Sequence, residues 1–236
     1  MAGGTTELRT TRSRWGERLS QHFRDRRSGV LRDLLARESA ARGGRVRLLD
    51  LGGRFEFWRR FGLEFLDRHG VEIAILNLTP GESGDRADIP PNIRFLVGDA
   101  TATGFDDASY DVVMSNSVVE HLGTWEAMIA FADETRRLAP TYYCQTPNFW
   151  FPIDPHYFKA PLFHWMPRPT RAWMLRTFPI ATAGRASSIR KSYAMTDYAR
   201  LLSRTQMRDL FPDARMVPER VLGVFVKSWT AVRERG

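Results

Sequence analysis

Short hydrophobic runs alternate along the chain with stretches in which apolar residues recur at helical spacing. Five runs of strand length begin near positions 45, 71, 92, 110 and 141. Two more, 214–221 and 224–232, are joined by Leu222-Gly223 and predict a terminal antiparallel pair. Strands separated by helices are typical of a parallel sheet that is covered on both faces. The pattern therefore predicts an α/β fold with seven strands, mostly parallel, and an antiparallel pair at the end.

Helical spacing marks the segments between several of these strands. It predicts helices over about 15–42, 56–69, 125–138 and 196–211. Residues 1–14 are small, polar and basic, and we expect a flexible arm there. The remainder, 15–236, is predicted to form a single domain.

One segment breaks the alternation of strands and helices. Residues 149–193 combine many prolines with tryptophan, phenylalanine and tyrosine, and they also carry several arginines and lysines. Such a segment is too apolar for disorder and too rich in proline for one long helix. We expect it to form an aromatic and basic cap insertion that binds an acceptor, or to be packing that covers one edge of the sheet.

Composition excludes several classes of protein. Of the 236 residues 43% are hydrophobic and 26% charged, which indicates a globular chain. A single cysteine, Cys144, allows neither an intramolecular disulfide nor a cysteine zinc cluster. The N-terminus has no apolar leader, and the longest uncharged run, 138–153, contains three prolines and does not suit a membrane span. These features predict a cytoplasmic protein without a transmembrane segment.

Charge is unevenly distributed along the chain. The net charge is +8, but an acidic middle, 48–155, lies between two basic ends. Basic ends can contact nucleic acid, an anionic substrate or a membrane surface, so peripheral membrane contact is one expectation. Most of the basic residues are arginines, however, which can equally reflect the composition of the genome.

The residues that could bind a ligand follow the predicted strands. The segment 48–53, Leu-Leu-Asp-Leu-Gly-Gly, leads a strand into a glycine turn, where a nucleotide-like ligand can approach the backbone. Glu56 opens the next helix, and its carboxylate would repel a pyrophosphate, which disfavours NAD or FAD. Asn77 closes the second strand with Leu78 beside it, and Asp99 follows the third strand.

These motifs resemble, in order and spacing, the class I S-adenosylmethionine-dependent methyltransferases, and most nearly the group with a type-11 methyltransferase domain. The resemblance extends over about 46–148 and, more loosely, over the terminal strand pair. It depends on four motifs: Leu-Asp-Leu-Gly at 49–52, Gly-Asp-Ala at 98–100, Tyr-Asp-Val-Val at 110–113 and Val-Glu-His-Leu at 119–122. Two features depart from the family: Arg54 and Glu56 stand where further glycines are usual, and Asn77 replaces an acidic residue.

The resemblance implies a Rossmann-like fold, S-adenosylmethionine as the cofactor and a role for each motif. Asp50, Gly52 and Gly53 are expected at the methionine end of the cofactor, Asn77 with Leu78 at the ribose, Asp99 and Ala100 at the adenine, and Ser115 and Asn116 beside the sulfonium.

Candidate catalytic residues come from the histidines. His156 follows the fifth strand, and Asp154 beside it can orient an imidazole base. His121 lies just after the fourth strand, where the family often has a histidine near the cofactor. Each of these residues can instead satisfy backbone groups in a turn. No cluster has metal-ligand spacing, so the sequence predicts no required metal.

The leading functional hypothesis is methylation of a small-molecule acceptor, on oxygen, with a sugar, a lipid-linked compound or a secondary metabolite as the substrate. A nucleic-acid methyltransferase is the alternative that the basic ends suggest. The fourth strand ends in Ser-Asn-Ser-Val rather than the Asn/Asp-Pro-Pro-aromatic signature of nucleobase amino-methyltransferases, which makes nucleic acid the weaker alternative. A third hypothesis is a methyltransferase fold that has lost catalysis and serves as a partner protein.

Overall fold

The computed structural model describes residues 14–80, 88–157, 160–181 and 184–235, with the side chains of 14–27 left aside. The predicted arm therefore lies, except for Arg14, outside the described residues. Seven strands form one sheet in the order β3-β2-β1-β4-β5-β7-β6. They are β1 (Val46–Leu51), β2 (Val71–Asn77), β3 (Ile93–Val97), β4 (Val112–Asn116), β5 (Thr141–Pro147), β6 (Arg215–Val221) and β7 (Phe225–Arg233).

The pairing of the strands confirms the predicted sheet. The four pairs among β1 to β5 are all parallel. Strand β7 runs antiparallel to both β5 and β6. Because β2 and β4 lie on opposite sides of β1, the chain direction across the sheet reverses there. The carboxyl edge of β1 is therefore the place where a ligand cleft forms in an open α/β sheet.

Seven α-helices are found in the described part of the chain. They are α1 (Arg14–Ala41), α2 (Phe55–Phe61), α3 (Leu63–Arg68), α4 (Trp125–Leu138), α5 (Arg168–Thr177), α6 (Ile189–Thr196) and α7 (Arg204–Leu210). No described helix combines the length and the apolar character that crossing a membrane requires.

Alternation along the central strands builds a core on each face of the sheet. Leu48 of β1 packs with the buried side of α1, α2 and α3. Its neighbour Leu49 packs in the opposite layer with α4 and α7. Successive side chains of a strand point to opposite faces, so one apolar run supplies both layers. The segment between β5 and α7 has a third, small cluster of its own around Phe163 and Leu175.

Two helices that were predicted to be continuous are interrupted in the structure. The helix predicted over 56–69 is divided into α2 and α3 at Gly62, whose φ of 116° is incompatible with helix. The helix predicted over 196–211 is also not continuous, because α6 ends at Thr196 and α7 starts afresh at Arg204. Ser203 and Gln206 form a reciprocal capping box at that new start.

Close contact between two glycines joins the loop before β1 to the start of β2. A Cβ on Gly70 would lie 1.9 Å from the carbonyl oxygen of Gly44, and Gly70 has a φ of +57°. The Val46 amide donates to the Gly70 carbonyl at 3.0 Å, which fixes the register of the two strands.

We expect Gly70→Ala to destabilise the protein far more than Gly104→Ala. Gly104 has a similar φ of +71° but open space around it. The control should lose about 1 kcal/mol from its left-handed backbone alone, and Gly70→Ala about 2 kcal/mol more from overpacking. Urea unfolding of both variants measures the difference. Equal losses would mean that the loop before β1 yields without cost.

Candidate functional site

The turn after β1 has no room for side chains at its two glycines. Gly52 has a φ of +76°, and a Cβ there would lie 2.7 Å from the side chain of Val118. A Cβ on Gly53 would lie 1.7 Å from Oδ2 of Asp50. The glycine pair therefore lets the backbone fold back tightly over the end of β1 and leaves the cleft beside it open.

Asp50 is buried at the base of this turn, only 1% exposed. Its Oδ2 accepts a hydrogen bond of 2.7 Å from the indole Nε1 of Trp58 in α2. Its Oδ1 is buried without a hydrogen-bond partner in the described chain. Burial raises the pKa of this carboxyl to about 7, against the Trp58 hydrogen bond that lowers it. A buried carboxylate oxygen without a partner favours a ligand that brings a donor or a positive charge.

A cavity of about 920 Å³ opens at the carboxyl edge of β1, β2, β3 and β4. Of the predicted cofactor residues, its lining includes Asp50, Gly52, Gly53, Asn77, Leu78, Asp99, Ala100 and Asn116. The size suits a nucleoside with an attached amino acid. Together with the unpartnered Oδ1 of Asp50 and the glycine turn, it fits S-adenosylmethionine.

The two predicted nucleoside positions make specific local contacts. The side-chain amide of Asn77 donates to the Gly53 carbonyl at 2.8 Å, so Asn77 helps to hold the glycine turn. Leu78 beside it is 64% exposed. Oδ1 of Asp99 accepts from both the amide and the hydroxyl of Thr101, at 2.8 and 2.7 Å. These bonds, the backbone one first, lower the pKa of Asp99, so the side chain is an anion on the cavity wall.

Ser115 is the predicted cofactor residue that the structure does not bring to the cavity. It is fully buried, and its hydroxyl donates to the carbonyl of Leu51 at 3.1 Å. Asn116, the next residue, lines the cavity. Because neighbouring side chains of a strand point to opposite faces, only one of the two can face the ligand.

The three predicted catalytic residues lie together. Asp154 is buried, and its Oδ1 accepts from the backbone amide of His156 at 2.8 Å and lies 2.7 Å from Nδ1 of the same histidine. Nε2 of His156 lies 3.3 Å from Nε2 of His121. Nδ1 of His121 lies 2.9 Å from the carbonyl oxygen of Tyr198. Burial lowers the pKa of His121, with the Tyr198 hydrogen bond opposing it.

Glu120 is a site residue that the sequence reasoning did not single out. It is fully buried, and its Oε2 accepts from the hydroxyl of Thr146 at 2.9 Å. Burial raises its pKa to about 7. The sequence predicts no required metal, but one ligand atom from each of Glu120, His121 and His156 lies within 4.8 Å of the others. Only the adjacency of Glu120 and His121 is visible in the sequence, since His156 is distant along the chain.

A second cavity, of about 630 Å³, adjoins the histidine pair. Its lining is mostly apolar and consists of Pro155, His156, Tyr157, Ala181, Lys191, Ala194, Met195 and Tyr198. Tyr198 lines both cavities, whereas His121 lines the larger one and His156 the smaller. No local pattern marks Tyr198, which lies in the irregular segment between α6 and α7. The arrangement places two ligand spaces on either side of one pair of imidazoles.

Comparison with known proteins adds a family model to this geometry. Residues 61–141 match a methyltransferase domain. The match covers about a third of the chain and includes Asn77, Asp99, Asn116 and His121, but it starts after the glycine turn. No curated protein matches the chain.

Solved structures share the fold at low sequence identity. Magnesium protoporphyrin IX methyltransferase (ChlM) from Synechocystis PCC 6803 with bound SAM is 12% identical, with a TM-score of 0.52 over 95% of this chain and 86% of that chain. In the complex of the Haloferax volcanii Trm112 methyltransferase activator with a provisionally assigned methyltransferase, the matched chain is 16% identical. The TM-score is 0.51 over 96% of this chain and 99% of that one.

A third match is partial. A Galdieria sulphuraria protein, provisionally described as a sarcosine dimethylglycine methyltransferase, is 25% identical over 50% of this chain. The match spans 45% of that protein, with a TM-score of 0.38.

A Rossmann-like sheet with a nucleoside-sized cleft at its topological reversal defines the class I methyltransferase fold. The match of residues 61–141 to a methyltransferase domain, together with this fold, supports a methyltransferase that uses S-adenosylmethionine as its cofactor.

We expect Asp50→Asn to weaken cofactor binding while stabilising the protein at neutral and alkaline pH. The raised pKa means that the folded chain keeps a proton which the unfolded chain releases between about pH 4 and 7. Asp50 therefore lowers the free energy of unfolding across that range and fully above pH 7. An asparagine oxygen can still accept from Trp58, but it carries no charge for the cofactor's ammonium group.

Calorimetric titration with S-adenosylmethionine should show at least a tenfold loss of affinity in Asp50→Asn, as for a lost charge-assisted hydrogen bond of about 1.5–3 kcal/mol. Thermal unfolding should show a higher melting temperature than wild type at pH 8 and a smaller difference at pH 4.5. Lower stability of the variant at pH 8 would contradict the buried-charge assignment.

Asp99→Ala tests the expected contact with adenine. Because Asp99 is exposed and its partners are on Thr101, the variant should fold with little loss of stability. We expect affinity for S-adenosylmethionine to fall about tenfold, since an ionised acceptor is lost from the cavity wall. Asp209→Ala, an exposed aspartate in α7, is the matched control. Unchanged affinity in Asp99→Ala would reduce Asp99 to a residue that caps a turn.

Proposed function

We propose that the protein methylates a hydroxyl group of a small amphiphilic acceptor that occupies the second cavity. The observation that carries this proposal is the junction of the two cavities at His121 and His156, whose Nε2 atoms are 3.3 Å apart. A methyl donor on one side and an acceptor on the other would meet at this pair. Holding two reactants in contact supplies most of the rate enhancement that such a displacement needs.

The cofactor cavity offers a partner for each end of S-adenosylmethionine. Asp50 would hold the ammonium group of the methionine part, and Asp99 and Ala100 the adenine ring. Asn116 at the end of β4 would lie near the sulfonium. When bound, the cofactor supplies a methyl group on positively charged sulfur. The chain's task is then to align an acceptor oxygen with that group and to remove its proton.

His156 is the proton acceptor in this proposal. A carboxylate can only accept hydrogen bonds, so Asp154 requires the proton of neutral His156 to be on Nδ1. The lone pair is then on Nε2 of a side chain that lines the second cavity. The buried Oδ1 of Asp154 contacts both the backbone amide and Nδ1 of His156, and these two contacts hold the ring in place. An oriented imidazole of this kind is the usual arrangement for a general base.

The second cavity supports an acceptor with an apolar body and a negative charge. Its walls are chiefly apolar, and Lys191 contributes the cation. The same segment between β5 and α7 exposes large apolar side chains, namely Trp150, Ile153, Leu162, Trp165, Trp173 and Phe178. Tryptophan with neighbouring basic residues suits the surface of a bilayer. This composition favours a lipid-linked or otherwise amphiphilic acceptor over a sugar that is free in water.

His156→Ala should lower turnover by about 10²–10⁴, the usual contribution of a general base. Affinity for S-adenosylmethionine should stay within threefold, because His156 lines only the acceptor cavity. The assay follows transfer of a labelled methyl group to a panel of hydroxylated acceptors, presented in water and in lipid vesicles. Lys191→Gln should raise the KM of anionic acceptors alone.

His69→Gln is the matched control, since His69 contacts Phe65 at the end of α3 and lines neither cavity. Calorimetry with S-adenosylmethionine, S-adenosylhomocysteine and NAD comes before the assay. Methyl transfer to oligonucleotides but to no small acceptor would support the nucleic-acid alternative. Binding of neither adenosyl compound by folded protein would support an inactive partner protein.

A further inference from the structure

The Nε2 atoms of His121 and His156 face each other, and this arrangement needs a positive charge between the two rings. The Tyr198 carbonyl and the Asp154 carboxylate are acceptors only, so each fixes a proton on the Nδ1 atom that it contacts. Both neutral rings then present an Nε2 lone pair to the other at 3.3 Å. Two lone pairs at this distance repel unless a shared proton or a metal ion lies with them.

A third possible metal ligand, the carboxylate of Glu120, lies near the two histidines. Oε1 of the buried Glu120 has no hydrogen-bond partner in the described part of the chain. One oxygen of this carboxylate and one nitrogen of each histidine form a group of ligand atoms that all lie within 4.8 Å of one another. A buried carboxylate oxygen left unsatisfied is costly, and a cation would remove that cost.

The separation of the two imidazole nitrogens also matches what a tetrahedral ion requires. Two nitrogen ligands at about 2.05 Å from such an ion lie about 3.3 Å apart, which is the observed separation of the two Nε2 atoms. The ring planes are 89° apart. Hydrogen bonding of the far Nδ1 atoms to a carboxylate and to a backbone carbonyl is the arrangement that orients metal-bound histidines.

We propose that Glu120, His121 and His156 bind one divalent first-row transition-metal ion, of the zinc type. Two imidazoles and one carboxylate form the donor set that such ions prefer over the all-oxygen sets of Mg²⁺ and Ca²⁺. Three protein ligands leave the fourth position of a tetrahedron open, as in catalytic zinc sites. This inference goes against the sequence-based prediction that no metal is required.

The ion's use rests on the proposed function, although its binding does not. At the junction of the two cavities, the open position would take the acceptor's hydroxyl oxygen. Bound to the ion, that hydroxyl has a lower pKa, so its O–H bond breaks with the proton passing to water. With the ion present, the Nε2 lone pair of His156 is occupied. His156 then acts as a ligand, and as the proton acceptor only in metal-free protein.

Metal binding is measured on the full chain after treatment with a chelator. Equilibrium dialysis against Zn²⁺ should show one ion per chain, and Co²⁺ in its place should give the intense visible absorption of a tetrahedral complex. His121→Ala, His156→Ala and Glu120→Gln should each weaken Zn²⁺ binding by at least tenfold and abolish the Co²⁺ spectrum. His69→Gln should retain both.

Circular dichroism shows whether each variant is folded, and for His156→Ala and Glu120→Gln, which do not line the cofactor cavity, so does the affinity for S-adenosylmethionine. Should Glu120→Gln fail to fold, Asp154→Asn provides the same test from outside the ligand set, with an expected loss of about 10–100-fold in metal affinity. Wild-type protein that binds no Zn²⁺ or Co²⁺, or variants that bind as well as wild type, would overturn the site and leave a proton shared between the histidines.

The metal site and the proposed function fail in different ways. Stoichiometric metal binding without methyl transfer to any acceptor would keep the site and reject the function. Methyl transfer that is unchanged in chelator, by protein that binds no metal, would keep the function and reject the site.

Discussion

The close approach of the backbone to the carboxylate of Asp50 is the constraint on which the cofactor site depends. Gly53 lies so near that a single Cβ would overlap the carboxylate. The buried carboxylate loses its hydration and accepts one hydrogen bond, from the indole of Trp58, in its place. Burying a charge in this way costs free energy, and the raised pKa records that cost. A ligand that donates a hydrogen bond to the unpartnered oxygen of Asp50 would offset this cost. Burial of the carboxylate therefore favours ligand binding.

The structure shows why the residues predicted to bind the cofactor, apart from Ser115, line one cavity. Each of its elements is a strand followed directly by a polar or glycine residue, and parallel strands bring their carboxyl ends to one edge. Asp50, Asn77 and Asp99 could therefore be placed together from local pattern alone. The choice between Ser115 and Asn116 could not, because the pattern does not show on which residue β4 turns its last side chain toward the ligand.

The histidine site shows the opposite case. His121 and His156 come from different segments, and what makes them a site is the contact between their Nε2 atoms. Glu120 stands out only because it is completely buried. Tyr198 contacts His121 through its backbone carbonyl, a group that every residue has and that no sequence pattern marks. The division of the predicted helix over 196–211 has a local cause instead. The capping box of Ser203 and Gln206 is a short-range signal for a new helix start within that range.

The irregular segment between α6 and α7 therefore affects the chemistry more than its sequence suggests. The carbonyl of Tyr198 sets the tautomer of His121, and the amide of Arg200 donates to the carbonyl of Glu120 at 2.7 Å. Tyr198 meanwhile lines both cavities. A displacement of this segment would release the His121 tautomer and open the boundary between the cavities at once. The shape of the second cavity and the orientation of the histidine pair thus depend on one stretch of backbone, whereas the predicted cofactor residues of the larger cavity lie at or just after the ends of strands.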